Sequence, residues 1–168
     1  MRSEMNDRIQ TIIHCMDLRV LLILFFGLLI FPCSASATLG ESEASVHADQ
    51  VHMKAVLKTT RNESYTMHEI KAPNGTVVRE YVSPQGKVFA VVWQGPFIPD
   101  LRKLFGNYFS QYSQASKDRN SIRPRIRGPL TIMQPGLVVQ TGGHMRAYLG
   151  YAYIPYLIPQ GVSIEEIR

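Results

Sequence analysis

The alternation of apolar and polar positions changes character several times along the chain. It opens with an unbroken apolar run, Val20–Phe31 (VLLILFFGLLIF), preceded by Arg19 and followed by Pro32 and the small residues Cys33-Ser34-Ala35-Ser36-Ala37. A positive flank, an apolar run of roughly 7 to 15 residues and an Ala-x-Ala end are the parts of a cleavable secretory signal. The run falls short of the roughly 20 residues that a membrane-crossing helix needs. The pattern therefore predicts an N-terminal signal helix over 1–37, cut between Ala37 and Thr38. Met16 offers a more compact start than Met1. The remainder of the chain, 38–168, has the size of one ordinary domain.

Beyond the cut, Ala44, Ala48, Val51 and Ala55 recur at helical spacing, and Ser42 with Glu43 supplies a start signal, so a helix is expected within Thr38–Lys58. After the polar break Asn62-Glu63-Ser64 the chain turns to short β-branched and aromatic runs. Tyr65–Lys71, Thr76–Val82 and Lys87–Trp93 read as strands divided by Ala72-Pro73-Asn74-Gly75 and Ser83-Pro84-Gln85-Gly86, an antiparallel meander. In the first hairpin a two-residue loop would oppose Glu69 to Glu80. A three-residue loop with Gly75 as a left-handed bulge opposes Glu69 to Arg79, His68 to Glu80 and Ile70 to Val78, and is the register expected. The third run is apolar throughout and belongs near the centre of the sheet.

Asp100 can cap a helix in which Leu101, Leu104, Phe105, Tyr108, Phe109 and Tyr112 form an apolar stripe for packing on the sheet. The stretch 113–127 is polar and basic without apolar periodicity and reads as a loop. Leu130–Gln134, Leu137–Thr141 and Arg146–Tyr153 are three further strands, and Ser163 with Glu166 fits a capping box over a short terminal helix. The fold class is α+β: an antiparallel meander with a packed amphipathic helix and further short strands.

Composition narrows the chemistry. Both cysteines, Cys15 and Cys33, lie in the leader, so the domain after the cut offers no thiolate for zinc, iron–sulfur or haem attachment. Leader charges cancel (Arg2, Arg8 and Arg19 against Glu4, Asp7 and Asp17), so the net charge of +5 belongs to the part after it. His47 and His52 stand about 140° apart around a helix and cannot share a metal as an i, i+4 pair would. His68-Glu69 starts like a zinc-protease motif, but Ala72 occupies the second histidine's place. No nucleophile elbow, P-loop or dinucleotide fingerprint occurs. No cofactor is expected.

Three polar groups remain. His68 with Glu80 reads as a cross-strand pair. His144 with Arg146 comes after Gly142-Gly143, a setting for an exposed turn. Arg123, Arg125 and Arg127 alternate with Pro124 and Ile126, so an extended backbone would present three guanidinium groups on one side. Trp93, the only tryptophan, ends an apolar strand before a Gly-Pro break; it could edge a pocket, but it reads first as a core residue.

Several phrases have a familiar form: Tyr65–Ile70 (YTMHEI), Gly75–Pro84 (GTVVREYVSP), Gly86–Ala90 (GKVFA), Trp93–Phe97 (WQGPF), Pro99–Leu101 (PDL) and Gly142–Ala147 (GGHMRA). Together they resemble an uncharacterised family of bacterial exported proteins, a domain of unknown function, over nearly all of the chain after the leader. The resemblance implies a periplasmic or secreted location and brings no activity, cofactor or site residue. The expected role is a non-enzymatic accessory or binding protein of the cell envelope. Its binding residues would be Arg123, Arg125, Arg127, His144 and Arg146, and its partner an anionic envelope polymer, a membrane surface or another envelope protein. Nucleic acid fits poorly, because no aromatic residue is interleaved with these arginines. The rival is an envelope hydrolase or transferase whose site would be built from His68, Glu80 and His144.

Overall fold

A computed structural model describes residues 39–122 and 129–167, with backbone only at 119–122. The predicted leader with its cut, and Arg123, Arg125 and Arg127, lie outside these residues. Seven strands form one antiparallel sheet: β1 Val56–Arg61, β2 Thr66–Lys71, β3 Val77–Val82, β4 Val88–Gly95, β5 Leu130–Gln134, β6 Leu137–His144 and β7 Ala147–Tyr153, in the order β1-β2-β3-β4-β7-β6-β5. The helices are α1 Ala44–His52, α2 Leu101–Phe105, α3 Phe109–Ile122 and the short terminal α4 Ile164–Ile167. The α+β class holds.

The meander β1–β4 fills one half of the sheet, and β5–β7 fill the other after a helical crossover that returns β7 to β4. That places β4 in the middle, with every residue from Val88 to Trp93 buried. The first hairpin has the register that its charges require: Glu69 faces Arg79 and His68 faces Glu80. Arg79 Nε donates to Glu69 Oε2 at 2.8 Å. Three residues make the loop, closed by Ala72 N–H to the Thr76 carbonyl at 2.9 Å, with Gly75 at φ +86° as the left-handed bulge.

Cross-strand partners share a face, so the register sorts the core. One inner row runs Thr59, His68, Glu80, Val91, Ala152, Val139, Ile132, and its neighbour includes Ile70, Val78, Trp93 and Gly150. Leu39, Val46, Leu104 and Phe105 cover this face. On the outer face Tyr81, Phe89, Ala90 and Val92 are capped by Ile167 and the segment leading to it. Burying Trp93, Phe105 and Phe89 contributes about 2–3 kcal/mol each.

Four expectations need correction. The first helix stops at His52, and Val56–Arg61 becomes an edge strand, because its β-branched residues pair with β2. That helix buries Ser45, Val46 and Asp49 rather than the alanine stripe, leaving Val51 75% exposed. The next helix is broken after Phe105 by a 3-10 turn at Gly106–Tyr108, where Gly106 takes φ +44°. Finally, 113–122 is no loop: α3 continues to Ile122, anchored where Phe109, Tyr112 and Ala115 pack on the core and extended by helix formers such as Gln114, whose amide donates to Asp118 Oδ1 at 3.0 Å.

Candidate functional site

The inner row of the sheet is apolar from β4 to β5 and polar at its other end, where Thr59, His68 and Glu80 lie side by side. Thr59 on the edge strand is exposed, whereas His68 and Glu80 are buried. His68 is 3% exposed, and both ring nitrogens are occupied: Nδ1 lies 2.9 Å from Thr59 Oγ1 and Nε2 lies 3.0 Å from Glu43 Oε1. Glu43 reaches Arg61 as well, at 3.7 Å. Although His68 and Glu80 are register partners, their side chains therefore turn to different groups.

Glu80 turns to Asp49 of α1. The two side chains are 1% and 4% exposed, and no N–H or hydroxyl reaches either Glu80 oxygen or Asp49 Oδ2. What stands against them is the other carboxyl. Two carboxylates have no donor between them, so the contact is a hydrogen bond only while one holds a proton. Burial pushes Asp49 up to about 7, opposed by its bond from Glu80 and by Lys103 and aided by Asp100. Glu80 is raised well above its usual range, first by burial and then by the charge of Asp49 and the bond to it. The two acids thus share a proton across the contact.

His144 is elsewhere. It sits at the end of β6, five residues beyond Val139 of the row that contains Glu80 and three strands across, roughly 20 Å away by strand rise and spacing. The constellation of His68, Glu80 and His144 does not assemble. Among the described residues no group of three or more His, Cys, Asp or Glu could hold a metal ion.

The tip of the β6–β7 hairpin is exposed over His144, Met145 and Arg146. Arg146 takes φ +63°, a left-handed conformation that a non-glycine side chain rarely adopts. Met145 is 81% exposed and Leu149 54%, while Phe97 and Ile98 on the segment after β4 are 56% and 55% exposed. Next to the tip, between the sheet and α2–α3, is a cleft of about 320 Å³ lined by Trp93, Leu101, Tyr112, Thr141 and Tyr148, with Ile98 and Leu149 at its rim. Glycines clear its floor. A Cβ on Gly150 would stand 2.2 Å from Trp93 Cζ2, so only glycine lets the indole lie across β7. A Cβ on Gly143 would stand 2.1 Å from the Ala147 carbonyl oxygen. Trp93 is 2% exposed, and its indole lines the cleft.

Sequence reasoning found the exposed tip and read Trp93 first as a core residue, which it is, with the pocket edge as the lesser alternative. It missed Asp49, since an acid in a helix is read as solvated, and it missed the cleft, although a glycine inside a strand pattern signals close approach of another group. Arg123, Arg125 and Arg127 lie outside the described residues. Pro129 lies against Gly142 beside the cleft. Residues 35–167 match the model of a family described as a protein of unknown function, DUF2844. No curated protein and no solved structure matches the chain.

Proposed function

The chain belongs to the DUF2844 family, and we propose that it is an exported, non-enzymatic binding protein of the bacterial cell envelope that docks on an anionic membrane surface through the β6–β7 tip. The observation that carries the reading is the composition of that tip. Arg146 and His144 stand beside the exposed apolar side chains of Met145 and Leu149, and no acid stands at the turn. A lipid surface uses both kinds of group, apolar side chains at the acyl boundary and a guanidinium on phosphate. A purely ionic polymer would use only the second. Arg146 is held at positive φ where glycine would rest without strain, and such outliers gather at binding sites. The sealing of His68 and Glu80 favours binding over the rival hydrolase or transferase. Arg123, Arg125 and Arg127 would add to the positive field, and the apolar leader supports a periplasmic or secreted location.

Vesicle co-sedimentation tests the reading. The protein should bind vesicles containing anionic phospholipid at low salt, and binding should weaken beyond about 0.15 M salt, where the Debye length nears 8 Å. Arg146→Gln should weaken it by about fivefold, the equivalent of about 1 kcal/mol for one basic group at the surface. Equal binding to zwitterionic vesicles, or an Arg146→Gln protein that binds as wild type does, would overturn it. Binding to soluble anionic polymer but not to vesicles would move the partner to the polymer.

A further inference from the structure

We propose that the cleft beside the tip takes one acyl chain of an anionic membrane phospholipid whose head group lies against Arg146 and His144; this rests on the proposed docking of the tip on a membrane surface. The register puts the two features together, because Gly143 and Tyr148 of the cleft are the strand pair next to the His144–Ala147 pair that closes the turn. A ligand held at the turn by its phosphate therefore has the cleft mouth one residue away, and next to the phosphate a phospholipid carries an ester and then a chain. At about 320 Å³ the cleft lies at the low end of the roughly 300–1,000 Å³ typical of small-molecule sites, a size for one chain and not for a partner's helix.

The lining has the matching chemistry. Leu101, Ile98 and Leu149 are aliphatic, and the aromatic faces of Tyr112 and Tyr148 flank them. Exposed Ile98 and Leu149 at the rim lose water when a chain enters, which contributes about 25 cal/mol for each Å² covered. Beneath them lies the indole of Trp93, an apolar ring whose single N–H can donate only to an acceptor such as an ester carbonyl. Basic charge at the mouth with an apolar interior selects an anionic amphiphile over a neutral lipid or a second copy of this basic chain.

Trp93 is the only tryptophan, so its fluorescence reports directly on the cleft. The protein is mixed with phosphatidylglycerol vesicles whose acyl chains are either brominated or not, and co-sedimentation is measured on the same samples. The expected result is loss of Trp93 emission with brominated chains only. Ile98→Gln, a neutral polar change at an exposed position, should abolish the quenching and leave co-sedimentation in place. Thr141→Phe, which fills the cleft from the sheet side, should do the same. Co-sedimentation without quenching would overturn the cleft proposal and leave the docking reading standing. Quenching that persists unchanged in both variants would also overturn it. If the vesicles are not bound at all, the docking reading fails, and a brominated single-chain anionic amphiphile below its micelle concentration decides the cleft alone: quenching supports it and no quenching overturns it.

Discussion

Arg146 shows how one residue can carry a conflict between stability and function. A left-handed backbone costs an L-residue about 1–2 kcal/mol because Cβ crowds the following carbonyl, and Arg146 sits at φ +63° in a turn that places no other demand on its side chain. Glycine would relieve the crowding, less its own greater loss of freedom on folding. Arg146→Gly should therefore raise stability by up to about 1 kcal/mol, read as a higher urea midpoint by Trp93 fluorescence. The same protein should bind anionic vesicles more weakly. A protein that is destabilised by the change would show that the arginine side chain makes contacts that hold the turn. Gly150 is the opposite case: its missing Cβ is occupied by Trp93, and any side chain there displaces the indole.

Among the elements, α2 depends most on a single cap. It has five residues, and Asp100 Oδ1 accepts from Arg102 N–H at 3.1 Å and from Lys103 N–H at 3.4 Å, satisfying two of the donors that every helix start leaves open. Asp100→Ala should cost about 1 kcal/mol. Because Leu104 and Phe105 bury this element, with the Phe105 ring 5.8 Å from that of Trp93, the loss should appear in the global urea transition. This cap was legible in the sequence, and so were six of the strands and the hairpin register, since each rested on a local rule: Asp before a stripe, β-branched runs between turn residues, charges that must not oppose. The β1 edge strand was not, because Val56–Arg61 looks polar and is made a strand by pairing with β2. Nor was the second half of α3, whose apolar anchor lies in its first turns while Ser116–Ser121 is polar. The tip could be read locally, but the cleft needed three separated strand segments to be brought beside two helices, and the acid pair needed a helix to be rotated by one face.

At the scale of the whole molecule the Asp49–Glu80 contact decides how stability depends on pH. Unfolded, the two carboxyls titrate near their ordinary values of 3.8 and 4.5; folded, Asp49 is pushed up to about 7 and Glu80 is raised well above its range. Below the ordinary values both states are protonated and the pair imposes no penalty. Between the ordinary and the raised values the folded state binds more protons than the unfolded one, so stability falls as pH rises, by about 1.4 kcal/mol per pH unit for each proton so held. The groups around the pair modulate this. Lys103 on α2 lowers Asp49 and Asp100 at the cap raises it, while across the strand His68 is engaged with Glu43 and Thr59 rather than with Glu80. The pair should therefore make the protein less stable at pH 8 than at pH 5, with the decline running through about 7 for Asp49 and continuing above it for Glu80. Glu80→Gln replaces one acid of the pair with an amide that donates to Asp49 at every pH, so the substitution should flatten the profile and leave the variant ahead of wild type at pH 8. Urea unfolding at several pH values checks this. A wild-type stability that rises from pH 5 to pH 8, in parallel with that of Glu80→Gln, would mean that the two carboxyls do not share a proton beneath α1.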